Sequence, residues 1–216
     1  MPETTATKEK RKKRYGMVID LRKCAGCSAC TVACSIENNV PEGHFRTWVK
    51  EMEVGLFPDV KRIKLPRLCN HCEDPPCVKV CPVQASWQNE DGVVLIDQDR
   101  CIGCKYCIAA CPYEARFINP ETNTADKCSF CIHRLEEGQL PACVTTCVGG
   151  ARIFGDVNDP ESEISKVLSQ YNVNVLKPDL GTQPFVFYID GDGSLMAGDY
   201  SGLRLDHTIR LAPGGK

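Results

Sequence analysis

The chain has 216 residues, a formal charge of −2 and 7 % aromatic residues, which leaves room for one or two domains but implies an interior built partly from something other than side chains. The near-zero charge gives no general case for nucleic acid, and no apolar run approaches the roughly 18 residues that crossing a bilayer requires. Sixteen cysteines then have to be explained by disulfides, zinc or iron–sulfur clusters, and their spacing decides which.

In chain order, residues 1–14 are polar and end in the basic run Lys8 to Arg14. With no apolar segment after the run and no adjacent arginines in it, this reads as a disordered basic tail rather than a signal peptide. A short strand is expected at Gly16 to Asp20, feeding a first cysteine group, Cys24, Cys27, Cys30 and Cys34. The second group is Cys69, Cys72, Cys77 and Cys81. A second strand, Val93 to Asp97, feeds the third group, Cys101, Cys104, Cys107 and Cys111, and the fourth is Cys128, Cys131, Cys143 and Cys147. A short helix is expected from each third cysteine onward, since Ile108-Ala109-Ala110 has suitable propensity. Beyond Gly155 there is no cysteine; Glu161 to Gln170 reads as a helix, Phe185 to Ile189 as a strand and Gly191 to Gly193 as a turn. Asp190, Asp192 and Ser194 lack the glycine and glutamate of a calcium loop.

Groups one and three both read C-x2-C-x2-C-x3-C, and the likeness runs wider. Val18-Ile19-Asp20 matches Leu95-Ile96-Asp97, Gly26 matches Gly103, and Ala33 matches Ala110, all in the same register. This is an internal duplication. Groups two and four lengthen the gap before the third cysteine but keep the final x3 spacing, and Ala85, Ala115 and Ala151 each follow a fourth cysteine by the same step. Strand, cysteine loop, short helix and strand make a ferredoxin half-unit.

Three cysteines at x2 spacing wrap a tight loop whose thiolates converge on three corners of one cube, with backbone N–H groups facing the sulfides. Gly26 and Gly103 let that backbone come close to sulfur and take positive φ. The fourth cysteine is carried off along the helix to the neighbouring cluster, and Cys81-Pro82 and Cys111-Pro112 reproduce the C-P ending of this pattern. The C-x2-C pairs also resemble zinc half-sites, but groups one and three hold more cysteines than a tetrahedral zinc needs. Cysteines this close on a tight loop seldom have disulfide geometry. The expectation is four [4Fe-4S] clusters, each adding roughly two negative charges when oxidised, in an α+β fold of two ferredoxin-like modules with irregular loops and a C-terminal extension. Spacing permits group one to exchange its fourth cysteine with group two or with group four.

From Tyr15 to Asp156 the sequence resembles the iron–sulfur B subunits of molybdopterin oxidoreductases of the dimethyl sulfoxide reductase superfamily. The stretches Arg67-Leu68-Cys69-Asn70-His71-Cys72, Ala115-Arg116-Phe117-Ile118-Asn119, Leu140-Pro141-Ala142-Cys143 and Gly149-Gly150-Ala151-Arg152-Ile153 are most similar to those of the tetrathionate reductase type. Polysulfide, thiosulfate and nitrite respiration have related subunits. The resemblance implies that groups one and four exchange fourth cysteines, as do two and three. Cluster 1 then takes Cys24, Cys27, Cys30 and Cys147; cluster 2 takes Cys69, Cys72, Cys77 and Cys111; cluster 3 takes Cys101, Cys104, Cys107 and Cys81; cluster 4 takes Cys128, Cys131, Cys143 and Cys34. Relatives with a [3Fe-4S] cluster replace a group-three cysteine by tryptophan, whereas Cys104 is present here. The implied modules are 15–66 with 120–155, and 67–119, followed by a docking extension, 156–216. The implied partners are a molybdopterin-containing catalytic subunit and an integral-membrane quinol-oxidising anchor, with this chain held peripherally at the membrane. The twin-arginine signal of many relatives is missing, so export together with a signal-bearing partner is expected, the cytoplasmic face being the alternative. The B subunit of a formate dehydrogenase or hydrogenase is the rival within the superfamily, and a structural zinc protein the rival outside it.

No catalytic constellation stands apart from the cysteines, so the chain is expected to be a non-catalytic electron-transfer subunit. His71 and His133 lie in cysteine loops but are surplus as ligands, and are expected on the surface or hydrogen-bonding beside a cluster. Tyr106, Tyr113 and Trp87 read either as cluster covers or as ordinary core. Lys105, Arg116, Lys127 and Arg152 adjoin cluster cysteines and would favour the reduced state, an effect that solvent exposure would screen.

Overall fold

The computed structural model describes residues 13–54 and 57–190. Strand β1 (Tyr15–Asp20) is the centre of a three-stranded sheet, with β8 (Arg152–Asp156) antiparallel on one side and β9 (Val186–Ile189) parallel on the other. Both faces of β1 are covered, which is why it reads as an unbroken apolar run instead of an alternation. Met17 and Ile19 face the main core, where they meet Cys30, Cys69, Cys128 and Cys143. Val18 faces Ile153, Ile164 and Ile189 under helix α6 (Glu163–Gln170).

A ribbon of β2 (Thr47–Val54) and β3 (Lys61–Leu68) links the first two cysteine groups. Its Ile63 and Leu65 alternate with charges, a half-buried strand signal, and the ribbon carries Pro66 because neither strand has a second neighbour to serve. Helix α2 (Pro76–Lys79), the hairpin β4 (Ser86–Gln88) with β5 (Val94–Ile96), and helix α3 (Tyr106–Ala109) pack together. The small pair β6 (Phe117–Ile118) and β7 (Ala125–Asp126) closes this set. Helix α1 (Ala29–Glu37) packs against α5 (Ala142–Thr145), and α4 (Ile132–Glu136) is tied to α1 where Glu37 receives His133 and Arg134, each at 2.9 Å. Helices α1, α4 and α5 thus bring the first cysteine group beside the fourth, although the two lie far apart in the sequence.

Two expectations change. Arg14 does not belong to a solvated tail: it is buried, and its side chain donates to the carbonyls of His71 and Gly92, pairs with Glu73 at 3.1 Å and stacks over Phe185. Residues 1–12 and the turn at Gly191 to Gly193 lie outside the described residues. The segment after Asp156 is also no separate appendage as far as Ile189. It supplies α6 and β9 to the sheet, its Gln183 carbonyl accepts from Glu73 N–H, and its Phe185 N–H donates to Asn70.

Candidate metal centres

All sixteen cysteines are free thiols. The third cysteine of every group (Cys30, Cys77, Cys107, Cys143) is the second residue of a helix, α1, α2, α3 and α5 respectively. The variant spacings of groups two and four therefore converge on the geometry of groups one and three. Ser28 and Lys105, the residues before α1 and α3, both take the left-handed conformation, a shared kink that turns each loop around its site.

The thiols gather across the groups. Cys24 faces Cys30 and Cys147; Cys34 faces Cys143 and Cys131; Cys72 faces Cys69, Cys77 and Cys111. Cys81, Cys101, Cys104 and Cys107 line one recess, with Gly103 and Arg116 in its wall. Cys27 sits exposed in the loop of Cys24 and Cys30. Among the described residues no three His, Cys, Asp or Glu side chains close on a point as a single ion would require. Four thiols around one recess suit a larger group.

Their chemistry fits an iron–sulfur cluster. Burial pushes the Cys34 and Cys72 thiols up to about 12, and neighbouring thiols add to the effect; burial likewise raises Cys128 well above the usual thiol value. These thiols hold their protons until a metal displaces them. Backbone N–H groups already point at sulfur: Ala151 donates to Cys147 Sγ at 3.2 Å, Ala125 to Cys101 at 3.4 Å, Phe130 to Cys128 at 3.4 Å and Ser86 to Cys81 at 3.5 Å. Buried donors also remain unpaired beside the thiols, namely Asn70 Nδ2, His71 Nε2 and Arg116 Nη1, and inorganic sulfide would be their acceptor.

The other singled-out residues sort by burial. His71 is fully buried, stacked on Phe130, and its Nδ1 accepts from Val94 N–H at 3.1 Å, so its hydrogen lies on Nε2. Burial, with Lys127, Arg14 and Arg116 nearby, holds its pKa well below the usual value and keeps it neutral. His133 is a surface residue paired with Glu37. Tyr113 is buried near Cys72 and donates or accepts at Thr182 Oγ1, whereas Tyr106 and Trp87 are exposed and cover nothing completely. Lys105 is exposed, but Arg116, Lys127 and Arg152 are buried, contrary to the solvent-screened reading. Sequence reasoning passed over Asn38, which lies 3.6 Å from Cys34 Sγ and 3.8 Å from Cys131 Sγ, and Arg46, which pairs with Asp126 and orients Asn38.

Residues 60–157 match the family described as a 4Fe-4S dicluster domain. The sequence is 58 % identical over 187 residues to the B subunit of tetrathionate reductase from Salmonella typhimurium, covering 85 % of this chain and 75 % of that one. It belongs to the iron–sulfur B subunits of the molybdopterin reductases. Other members are the B subunit of polysulfide reductase from Wolinella succinogenes, 46 % identical over 180 residues (82 % and 94 % covered), and the iron–sulfur subunit of the arsenate respiratory reductase of a Shewanella species, 39 % identical over 229 residues (83 % and 97 % covered). A B subunit carries [4Fe-4S] clusters, and the sixteen cysteines suffice for four. It works within a reductase of several subunits, and among the described residues no helix is long and apolar enough to cross a membrane. Two cysteines of this B subunit are exposed, Cys27 and its repeat mate Cys104. Large apolar side chains stand open beside the same two regions: Val148, 84 % exposed, next to Cys147, and Ile102, 64 % exposed, between Cys101 and Cys104.

Proposed function

We propose that this B subunit relays electrons between a membrane quinol-oxidising subunit and a molybdopterin catalytic subunit that reduces tetrathionate. Its clusters sit in two ferredoxin-like modules with crossed fourth ligands: Cys24, Cys27, Cys30 and Cys147; Cys69, Cys72, Cys77 and Cys111; Cys101, Cys104, Cys107 and Cys81; and Cys128, Cys131, Cys143 and Cys34. The observation that carries this is the meeting of Cys34 with Cys131 and Cys143 while Cys147 lies with Cys24. Bound [4Fe-4S] clusters supply one-electron storage and release.

The chain's own residues do the rest. Cysteines fix the sites on short helices, backbone N–H groups at Ala125, Phe130 and Ala151 favour negatively charged sulfur, and Met17, Ile19 and Phe130 keep water out of the centre. The two exposed cysteine loops give electrons a way on and a way off without motion of the core. Peripheral attachment through the anchor, on the extracytoplasmic face by co-export, completes the reading, with the segment after Asp156 contributing to docking.

Deleting the gene tests the role. Membranes with equal catalytic-subunit content should still reduce tetrathionate from an artificial dye but no longer from quinol. Persistence of quinol-driven reduction would reject the relay. Polysulfide or nitrite as the lost electron acceptor would reassign the substrate while leaving the relay intact.

A further inference from the structure

Three cations are buried among the cysteines: Arg116 at 5 %, Lys127 at 3 % and Arg152 at 4 % exposure. Burial of a cation is unfavourable unless negative charge lies close by. The chain can supply carboxylates where it needs them, as at Arg14 with Glu73 and Arg46 with Asp126. Among the described residues these three are paired with none; the anionic partners that would balance them are chiefly thiols, while Lys127 also has Arg116 nearby and Arg152 has Tyr188.

Each stands between two different ligand sets. Arg152 donates through Nη2 to Cys30 Sγ at 3.4 Å and through Nη1 to Cys143 Sγ at 3.6 Å, joining the first set to the fourth, while Thr47 Oγ1 at 2.9 Å holds it in place. Lys127 is held by the carbonyls of Val94 and Cys128 and lies near Cys69 and Cys77 of the second set as well as Cys128 of the fourth. Arg116 donates to Cys77 Sγ of the second set at 2.9 Å, faces Cys107 of the third, and lines the third set's recess. Ser86 Oγ holds it at 2.9 Å. The sets therefore run first, fourth, second, third, with one cation in every gap. Arg116 and Arg152 also share a local setting, each directly after the alanine that follows a fourth cysteine, in groups three and four.

We propose that Arg152, Lys127 and Arg116 are the potential-setting residues of the relay, each raising the reduction potential of the two clusters that flank it. An electron arriving on either side of such a gap adds one negative charge next to a fixed positive one that water cannot screen, so the reduced form is favoured on both sides. The inference rests on the crossed ligand sets proposed above.

The test uses the intact complex, purified anaerobically, with Arg152→Gln, Lys127→Gln and Arg116→Gln beside Arg152→Lys, Lys127→Arg and Arg116→Lys. Redox titration followed by electron paramagnetic resonance reads each cluster's potential, the signals having been assigned with Cys→Ser variants. Each neutral variant should lower two flanking clusters by about a factor of ten in their reduced-to-oxidised ratio, about 59 mV for one electron, and leave the other two in place. The charge-keeping variants should stay at wild-type potentials. Unchanged potentials in iron-replete neutral variants overturn the proposal, as does an equal shift of all four clusters. If a neutral variant fails to take up iron, its charge-keeping counterpart decides: a displaced potential there makes the side chain's role one of shape. Iron near eight per unaltered chain would instead sink the four-cluster reading itself.

Discussion

Gly26 and Gly103 are repeat mates with the same backbone need, φ +74° and +66°, but different neighbours. A Cβ on Gly26 would meet the Lys64 side chain at 2.7 Å, which can swing aside; one on Gly103 would run into the Asn123 carbonyl, which cannot. Gly26→Ala is expected to cost about 1–2 kcal/mol from the left-handed backbone alone and to keep its iron. Gly103→Ala should lose the cluster of Cys101, Cys104 and Cys107, measured as a drop of about four iron atoms per chain. The glycines and the sixteen candidate ligands stand out in the sequence because cubane loops impose their own spacing. The burial of Arg116, Lys127 and Arg152 does not, since a charge beside a ligand reads as solvent-facing unless one knows that an anionic group shares the interior. The signal that was present is the repeated Ala-Arg after a fourth cysteine.

Among the elements, β1, β5, α6 and β9 were foreseen from apolar runs and a helical pattern, whereas the β2–β3 ribbon was missed. Its alternation is short and interrupted by Pro66, which lowers the strand signal without preventing pairing at an edge. Helix α6 is where element and fold stability meet. Ser162 caps it by accepting from Ser165 N–H at 3.2 Å, and Ile164 is fully buried against the sheet. Ser162→Ala is expected to lower stability by about 1 kcal/mol and Ile164→Ala by about 2–5 kcal/mol, followed by denaturant unfolding under anaerobic conditions. Iron content before denaturant should be unchanged in both, because α6 touches no cysteine.

At the scale of the molecule, spacing left two pairings of the groups open, and the choice between them depends on long-range packing. The register of β1 against β8, Ile19 opposite Arg152 and Met17 opposite Phe154, carries group one to group four. Crossed ligation predicts that Cys34→Ser damages the cluster of Cys128, Cys131 and Cys143 and spares that of Cys24, Cys27 and Cys30; resonance signals lost in the reverse pattern would reject it. Exposure makes a second prediction. Only Cys27 and Cys104 are exposed among the ligands, so an iron chelator acting on the isolated subunit should bleach the visible absorbance in two phases of about equal size, the outermost pair of clusters first. A single phase would show that all four open together.

The central place of β1 also dictates a schedule for making the protein. Its partners β8 and β9 lie far downstream in the sequence, so the sheet stays open until nearly the whole described chain has left the ribosome. The middle segment is continuous, and Cys69 through Cys111, with β4, β5, α2 and α3, can assemble while the rest is still being synthesised. Iron delivered during translation would therefore find a finished pocket in the middle of the chain first, and the flanking segments would then close around a centre already charged and folded.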